Sequence, residues 1–312
     1  MLTVGQERSL LSEIGGGSGV CSVAFTANGE YIVGGDDKGV GVWRRSGQKL
    51  ATLAATYVQI VAVSRDGRWI AAGTFNGSAI VWDAKTYERV LTVDGTGHSS
   101  TINGVDFSPD SARLVTASKS CTATVYDVTT RQTVLTLDHD KEVTAAKCSP
   151  QGDRIATTTN HGPVRVWDSN DGRLLVHIPV SVVSWGNTCL LWSNNHLFVA
   201  SSTDIKQFEA STGSTVSEWK AADTYSNDDS WIALPQHAQF IAHSHKDTVT
   251  FWDPSTHTRL GAIKHTHTQR IRSIALSPDD RFLVIGGHSR NIVINDVSDV
   301  SPAFYPTVSI RR

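Results

Sequence analysis

The sequence is poor in the features that mark secreted, membrane-spanning and disulfide-rich proteins. Only four cysteines occur among 312 residues, and none forms a C-x-x-C pair. We therefore expect buried free thiols in a reducing compartment. No run of eighteen apolar residues exists, so no membrane span is expected, and residues 1–14 lack the basic start and apolar run of a signal peptide. These absences predict an intracellular protein, cytoplasmic or nuclear.

Charge of one sign, helical periodicity and enzyme motifs are also lacking. Lys and Arg total 28 against 30 Asp and Glu, a net charge of −2. This near-balance argues against binding to nucleic acid or to an anionic membrane. The Gly-x-Ser-x-Gly, phosphate-loop and His-Glu-x-x-His motifs do not occur. We therefore predict a protein that is not an enzyme, with no catalytic residue and no cofactor.

A short strand pattern that ends in an aromatic residue and an acid recurs along the chain. Its clearest copy is Val164–Asp168, in which apolar residues alternate, as in a strand with one buried face. The aromatic position recurs every 39 to 44 residues, at Trp43, Trp82, Tyr126, Trp167, Phe208, Trp252 and, as an amide, Asn295. A period of about 40–45 residues that ends in Trp-Asp is the signature of a four-stranded propeller blade.

On these residues the chain resembles the WD-repeat β-propeller family. The resemblance implies an all-β fold over residues 1–312, a single seven-bladed β-propeller of four-stranded antiparallel blades. We expect the repeats at about 20–54, 58–94, 102–138, 143–179, 180–220, 230–264 and 271–297, followed by a tail at 298–312. The resemblance also implies that a strand at about 9–14 supplies the outer strand of the last blade and closes the ring. The register of repeat five stays open, because 180–185 and 189–193 both have strand character.

Many members of the family staple each blade with a hydrogen-bonded His, Ser or Thr, Asp and Trp. In repeat four, His139, Thr159 and Trp167 match this set, but Asn160 and His161 stand where the Asp would be. No repeat has all four residues. We therefore expect packing, and not this network, to carry most of the stability.

In a propeller, the residue before each first strand and the residue before the turn between the second and third strands point to one rim. These positions are Tyr57, Phe75, Thr101, Lys119, Glu142, Asn160, Ser230, His245, Arg270 and His288. Tyr57 and Phe75 form an aromatic pair suited to anchor an interface, and Arg270 adds a charge. Alternatively, the two aromatic rings pack against the neighbouring blade, and Arg270 is a solvated charge.

From these positions we predict a partner-binding surface centred on Tyr57, Phe75, Arg270 and His288. The full set that we assign to it is Tyr57, Phe75, Lys119, Glu142, His245, Arg270 and His288.

Seven of the twelve histidines lie between His237 and His288. His243 and His245 alternate on one predicted strand and so share a face. Imidazole suits zinc, but no cysteine or well-placed carboxylate completes a site, so we predict no metal ligand. The alternatives are histidines that staple the blades or lie on the surface, or a polar patch that binds a partner.

The sequence thus predicts a non-catalytic interaction scaffold that presents a rigid rim to a protein or peptide partner. We expect a monomer, unless the chain belongs to a larger complex. A second hypothesis makes the propeller the ligand-sensing domain of a larger nucleotide-binding (NACHT-type) immune-like protein. Neither hypothesis involves nucleic acid or a membrane.

Overall fold

The computed structural model describes residues 10–15, 19–93, 100–182, 189–201, 203–223, 231–234, 240–265, 270–288 and 290–300. The strands are β1 (Leu10–Gly15), β2 (Ser22–Phe25), β3 (Tyr31–Asp36), β4 (Gly39–Arg44), β5 (Lys49–Leu53), β6 (Val58–Val63), β7 (Trp69–Thr74), β8 (Ala79–Asp83), β9 (Arg89–Val93), β10 (Ile102–Phe107), β11 (Arg113–Ser118), β12 (Thr122–Asp127), β13 (Thr133–Asp138), β14 (Val143–Cys148), β15 (Arg154–Thr159), β16 (Gly162–Asp168), β17 (Leu174–Val182), β18 (Leu190–Ser193), β19 (His196–Ala200), β20 (Asp204–Glu209), β21 (Thr215–Lys220), β22 (Ile232–Ala233), β23 (Ile241–His245), β24 (Thr248–Trp252), β25 (Arg259–Lys264), β26 (Ile271–Leu276), β27 (Phe282–Gly287) and β28 (Asn291–Asp296). Residue 9 of the predicted closing strand and residues 301–312 of the predicted tail lie outside the described residues.

The described strands form seven four-stranded antiparallel sheets, and each sheet is one blade. Blades one to six are β2–β5, β6–β9, β10–β13, β14–β17, β18–β21 and β22–β25, and blade seven combines β26–β28 with β1. The first strands of successive blades contact one another in a closed cycle that runs from β2 to β26 and back to β2. The predicted all-β, seven-bladed propeller is therefore confirmed. In the part of the chain that the structure describes, no helix is long and apolar enough to cross a membrane.

Strand β1 pairs antiparallel with β28 at the outer edge of blade seven. Ile14 lies opposite Ile292, and Gly15 lies opposite Asn291. The first described strand of the chain thus joins the same sheet as the last three. Pairing of this kind leaves fewer unpaired strand edges.

The middle strands of most blades are buried on both faces, because each blade lies between two neighbours. Every residue of β7, from Trp69 to Thr74, is buried, and the same holds for β27. On the outer strand β13, by contrast, only Leu137 is fully buried. The core is therefore a series of apolar layers between blades, and burial of each Ile or Leu in them is worth about 2 kcal/mol.

The acid of the Trp-Asp pair has a structural role in the turn between the third and fourth strands. In blade two, Oδ1 of Asp83 accepts hydrogen bonds from the backbone N–H groups of Lys85 and Thr86, both at 2.9 Å. Asp253 binds the corresponding turn of blade six, where the hydroxyl of Ser255 also donates to it. These hydrogen bonds, from Ser255 above all, lower the pKa of Asp253 to about 2. The recurring acid therefore caps a turn.

The turn between the first and second strands is built from a hydroxyl and an acid. In blade two, the hydroxyl of Ser64 donates to Asp66 at 2.6 Å and accepts the backbone N–H of Trp69 at 2.9 Å. The equivalent residues are Ser108, Ser149 and Ser277 in blades three, four and seven, and Thr26 in blade one. In blades three, four and seven this serine is followed by a proline.

Blade five begins later than the sequence analysis expected. Strand β17 of blade four continues to Val182, which lies opposite Gly162. The first strand of blade five is β18, at Leu190–Ser193. The predicted repeat boundary at 180 is therefore wrong, and of the two candidate segments, 189–193 supplies the first strand.

Blade four contains the expected staple, but through a different threonine. The indole Nε1 of Trp167 donates to the hydroxyl of Thr157 at 2.8 Å, and Nε2 of His139 lies 2.8 Å from the same hydroxyl. Thr159, which the sequence analysis selected, does not take part and is buried two residues further along the strand. Both side chains point to the same face of β15, and only Thr157 lies level with the histidine.

All four cysteines are free thiols. Cys21 and Cys189 are buried, as predicted, whereas Cys121 and Cys148 are half-buried. Burial raises the pKa of Cys21 and of Cys148 above the usual thiol value. The thiols of Cys21 and Cys148 are therefore protonated at neutral pH.

Candidate functional site

The two ends of the ring carry different loops. At one end, which we call the upper rim, the connections between successive blades meet the turns between second and third strands. The other end, the lower rim, carries the turns between first and second strands and those between third and fourth strands. In each blade, one residue before the first strand and one residue after the second strand therefore lie at the upper rim.

One backbone hydrogen bond joins these two positions in four blades. In blade two, the N–H of Phe75 donates to the carbonyl oxygen of Tyr57 at 2.9 Å. The same bond joins Lys119 to Thr101 at 3.0 Å, Asn160 to Glu142 at 2.9 Å, and His288 to Arg270 at 3.2 Å. Because only backbone atoms form the bond, side chains at these positions are not constrained by it. The fold thus fixes the positions of these paired residues on the rim without constraining which side chains occupy them.

Among the described residues of this rim, Tyr57 and Phe75 are the exposed aromatic ones. Tyr57 is 54% exposed and Phe75 is 56% exposed. The structure therefore brings the predicted pair together at a solvent-open site, and not packed away against a neighbouring blade. Tyr57 also has φ 53°, a left-handed conformation that is uncommon for a bulky residue.

A continuous chain of hydrogen bonds holds this pair in the rim. The N–H of Tyr57 donates to the carbonyl oxygen of Asp37 in blade one at 3.0 Å. On the other side, the hydroxyl of Thr101 in blade three donates to the carbonyl oxygen of Phe75 at 3.0 Å. Exposed Asp37 and half-buried Lys119 flank the aromatic pair. Three successive blades therefore fix the aromatic pair between an acid and a base.

Lys119 and Glu142 occupy the upper rim of blades three and four, where the sequence analysis placed them. Both side chains are half-buried. Next to Glu142, the ammonium of Lys141 donates to the carbonyl oxygen of His161 across the rim at 3.2 Å. This part of the rim is polar and less exposed than the aromatic pair.

Arg270 and His288 form the equivalent pair of blade seven. His288 is exposed and Arg270 is half-buried. Blade one lies between this pair and the aromatic pair of blade two. The four residues at the predicted centre of the surface are therefore on one rim, but in two groups with a blade between them.

Blade six is offset by one residue from the prediction. Ile241 lies opposite Trp252, as Ile70 lies opposite Trp82 in blade two. Counting from these residues, Lys246 occupies the position of Phe75, and half-buried His245 lies one residue earlier. Ser230 lies outside the described residues. The distance from the tryptophan pointed to His245, which precedes Trp252 by seven residues as Phe75 precedes Trp82. The turn of blade six is one residue shorter, because His245 pairs with Thr248, and this moves the position to Lys246.

The histidines of blade six serve the packing between blades. His243 is fully buried, and its Nε2 lies 3.2 Å from the carbonyl oxygen of Ser201 in blade five. Burial lowers the pKa of His243 to about 4, so the ring is neutral and donates this hydrogen bond. Within the described ranges, no three ligand-type side chains form a group that could hold a metal ion.

Seven blades closed in a ring, with an Asp-capped turn after the third strand in blades two, three, four, six and seven, define a β-propeller built from repeats. The family model for the WD domain, G-beta repeat (WD40) matches residues 8–44, 47–83, 88–127, 131–168 and 258–296. These segments make up more than half of the chain, which therefore belongs to the WD40 family. The gap in the match, 169–257, spans blade five and most of blade six.

Similar proteins come from several eukaryotes. The WD repeat-containing protein slp1 of Schizosaccharomyces pombe is 24% identical over 276 residues, which are 82% of this chain and 54% of that protein. Periodic tryptophan protein 2 of Arabidopsis thaliana is 31% identical over 126 residues, 38% of this chain and 14% of that protein. Apoptotic protease-activating factor 1 of Rattus norvegicus is 27% identical over 181 residues, 56% and 14% respectively. The chain thus spans about half or less of the length of these relatives.

A solved structure supports the fold. One chain of the mitotic checkpoint complex superimposes with a TM-score of 0.80 at 20% identity, covering 95% of both chains. At this identity the likeness shows the fold alone.

Proposed function

We propose that this protein is a non-catalytic interaction scaffold that binds a segment of a protein partner on its upper rim, at Tyr57 and Phe75. The observation that carries the proposal is the exposure of both rings, 54% and 56%, side by side on a hydrogen-bonded rim. Exposure of an aromatic pair to water is unfavourable in the free protein, and aromatic residues are common anchors of interfaces.

The rim favours binding because it is ordered in advance. The backbone bonds that join Asp37, Tyr57, Phe75 and Thr101 hold the loops before any partner arrives. Little conformational entropy is then lost when the partner binds. An apolar side chain of the partner would cover the two rings, and Asp37 and Lys119 on either side would set its direction.

Arg270 and His288 form a second contact on the same rim. The one blade between them and the aromatic pair means that only an extended partner segment reaches both. Lys119, Glu142 and His245 are rim contacts of lower exposure in this proposal. Its support from the comparisons is that the chain is a WD40 protein and that a similar propeller belongs to a protein assembly, the mitotic checkpoint complex.

The test is affinity capture with wild type and with the variant Tyr57→Asn/Phe75→Ser, followed by affinity measurement with the captured partner after purification. Asparagine suits position 57 because it tolerates positive φ. The matched control is Val134→Ser/Leu174→Ser, which removes two exposed apolar side chains from outer strands. Circular dichroism confirms the fold of each variant.

We expect the rim variant to bind the partner at least about tenfold more weakly, because anchors of this kind contribute about 2 kcal/mol or more. The control should bind as wild type does. Equal affinity of the rim variant and wild type would overturn the proposal.

A second candidate is that the propeller senses a ligand within a longer protein. The observation in its favour is the match to apoptotic protease-activating factor 1, of which this chain covers 14%. The test is the full-length transcript: an adjoining nucleotide-binding domain in the same reading frame would favour this candidate, and its absence would refute it.

A further inference from the structure

The lower rim changes at blade five. In blade two, four residues (65–68) separate Ser64 from the start of the second strand, and blades one, three, four and seven have turns of the same length. In blade five, only Asn194 and Asn195 separate Ser193 from its pairing partner His196. Asn194 makes this tight turn in the left-handed conformation, at φ 49°. The turn is thus two residues shorter than its counterparts.

The longer turns contact one another along the lower rim. The backbone N–H of Asp66 in blade two donates to the hydroxyl of Ser111 in blade three at 3.3 Å. Between blades three and four, Pro109 lies beside Gly152. A turn that is two residues shorter reaches less far toward the next blade, and space opens at that point.

The sheet face beside the short turn is polar where other blades are apolar. One position of the third strand faces the next blade and is filled by buried apolar side chains, namely Val42, Val81, Val125, Val166, Phe251 and Ile294. Blade five has half-buried Gln207 there. Opposite it, on the fourth strand, blade two has Leu91 and blade five has Ser217. The hydroxyl of Ser217 donates to Oε1 of Gln207 at 2.9 Å.

These two changes border a cavity of about 550 Å³ between blades five and six, which we call the notch. Its size falls within the range of ligand-binding sites. Asn194, His196 and Gln207 line it from blade five, and Ser255 and His257 line it from blade six. The amide of Gln207 accepts from Ser217 through its oxygen, which leaves its two N–H groups as donors in the notch.

We propose that the notch binds an acidic turn of a partner protein, in which the carboxylate of an Asp or Glu accepts hydrogen bonds from Gln207, Asn194 and His257. The partner turn would fill the space next to the short turn of blade five. This site lies on the lower rim and does not depend on the upper-rim proposal.

The amide donors of the notch favour an acceptor. No Asp or Glu is among its described lining residues. The nearby carboxylate of Glu209 is already engaged, by the amide of Asn195, by the hydroxyl of Ser211 at 3.0 Å, and by His196, whose Nε2 lies 3.5 Å away. Because His196 contacts Glu209 and Ser255 donates to Asp253, the donors offered to a ligand are the amides of Gln207 and Asn194 and the ring of His257. Such donors bind a carboxylate more strongly than a neutral group.

The turns of the other blades show what kind of turn fits on the lower rim. In blade three, the turn Ser108–Arg113 carries Asp110, whose carboxylate accepts the hydroxyl of Ser108 at 2.5 Å and the N–H of Ala112 at 3.0 Å. The chain thus builds acidic turns along this rim and lacks such a turn among the described residues of blade five. A partner that inserts an acidic turn into the notch would place such a turn next to blade five as well.

The probe is a hexapeptide with the sequence of residues 108–113, Ser-Pro-Asp-Ser-Ala-Arg, acetylated and amidated at its ends. A second peptide carries Asn in place of Asp. Both are titrated into the full ¹⁵N-labelled chain, and binding is followed through the side-chain amide signals of Gln207 and Asn194. The variants are Gln207→Val/Ser217→Leu, which gives blade five the residues of blade two, and Asn194→Gly, which keeps the turn and removes the amide.

We expect the acidic peptide to shift the two amide signals and the Asn peptide to bind at least about tenfold more weakly, because a hydrogen bond to a charged group is worth about 1.5–3 kcal/mol. Both notch variants should weaken binding by at least about tenfold as well, and Tyr57→Asn/Phe75→Ser should not. No shift with millimolar acidic peptide, equal binding of the two peptides, or undiminished binding by Asn194→Gly would each overturn the proposal.

Discussion

Trp167 donates its indole N–H to the hydroxyl of Thr157 at 2.8 Å, inside blade four. The hydroxyl is thereby an acceptor, so its own proton is free to go to Nε2 of His139, also 2.8 Å away. The other ring nitrogen, Nδ1, lies 2.9 Å from the carbonyl oxygen of Leu137 and donates to it. These three bonds fit a neutral imidazole with its proton on Nδ1. Desolvation by burial, the largest cause, lowers the pKa of His139 to about 4, which agrees with this assignment.

The first prediction concerns Thr157. Thr157→Val should lower the free energy of unfolding by about 1–3 kcal/mol, because the buried Trp167 N–H and His139 nitrogen lose their partner. Thr159→Val is the matched control, since it makes the same substitution two residues away on the same face. The Thr159 hydroxyl is buried without a hydrogen-bond partner, so its removal should be neutral or stabilising. Denaturant titration of both variants checks this, and equal losses would contradict it.

The second prediction is a loss of stability between neutral pH and pH 4. His139 and His243 both have a folded pKa of about 4, below the unfolded value of about 6.5. Between those two values the unfolded chain binds more protons than the folded chain, so stability falls as the pH falls. The variant His139→Gln/His243→Gln should be less stable than wild type at pH 8. Between pH 7 and pH 4 it should lose less stability than wild type does. Thermal midpoints across this range measure both slopes, and parallel slopes would argue against it.

A separate decline should begin below about pH 4. Asp83, Asp127 and Asp168 have lowered pKa values, chiefly because backbone N–H groups bind their carboxylates, and Asp253 has a pKa of about 2. A carboxyl with a lowered folded pKa stabilises the protein above its unfolded pKa, and this contribution is lost as the pH falls through the folded value. Asp253→Asn should flatten the profile between pH 4 and 2 relative to wild type. An unchanged profile would show that the turn cap does not titrate as described.

The fold could be predicted from the sequence because its strongest signal repeats. The third strand ends one residue after the recurring aromatic or amide position in six blades, and at Trp252 itself in blade six. The backbone needs only the apolar alternation and the turn residues to form this strand. Blade five shows the limit. The apolar alternation runs without a break from Leu174 into the segment after 180, and only the pairing of Val182 with Gly162 shows where the strand belongs. Such a pairing is non-local, so the local pattern could not show it.

Side chains on one face of a strand posed a similar problem. Thr157 and Thr159 share a face, as do His243 and His245, and the spacing alone does not say which one meets its partner. The tertiary structure decides, since His139 lies level with Thr157 and Ser201 lies level with His243. At the upper rim, the prediction of Tyr57 and Phe75 as an adjacent exposed pair is matched by their positions, because both are counted from well-defined strands. Their role in binding stays a prediction.

The fourth prediction concerns the stability cost of the notch. Gln207→Val/Ser217→Leu should raise the free energy of unfolding by about 1–2 kcal/mol, because it buries apolar surface where the other blades already do. Gln207→Ala/Ser217→Ala removes the same polar groups without filling the space and should bring no such gain. A comparison of the thermal midpoints of the two variants shows whether a gain in stability comes from filling the space or from removing the polar groups. A lower midpoint for the filled variant would mean that the interface between blades five and six is already closely packed.

The last prediction separates stability from binding at the upper rim. Tyr57 has φ 53°, and a bulky residue in this region costs about 1 kcal/mol or more in backbone strain. Tyr57→Gly removes that strain, but it also makes the unfolded chain more flexible, by about 0.4–1 kcal/mol. The two effects nearly cancel, so the free energy of unfolding should change by less than about 1 kcal/mol. Affinity for the rim partner should still fall at least about tenfold, because the aromatic anchor is gone.

Arg131→Gly is the control for this variant, because Arg131 is an exposed residue with φ 63° on the lower rim. It makes the same change of backbone freedom away from the aromatic pair, so both its stability and its partner affinity should match those of wild type. Denaturant titration and equilibrium binding on the three proteins give the comparison. If Tyr57→Gly kept its affinity, the strained tyrosine would have no part in binding. If Arg131→Gly lost affinity as well, the effect would come from backbone flexibility and not from the ring.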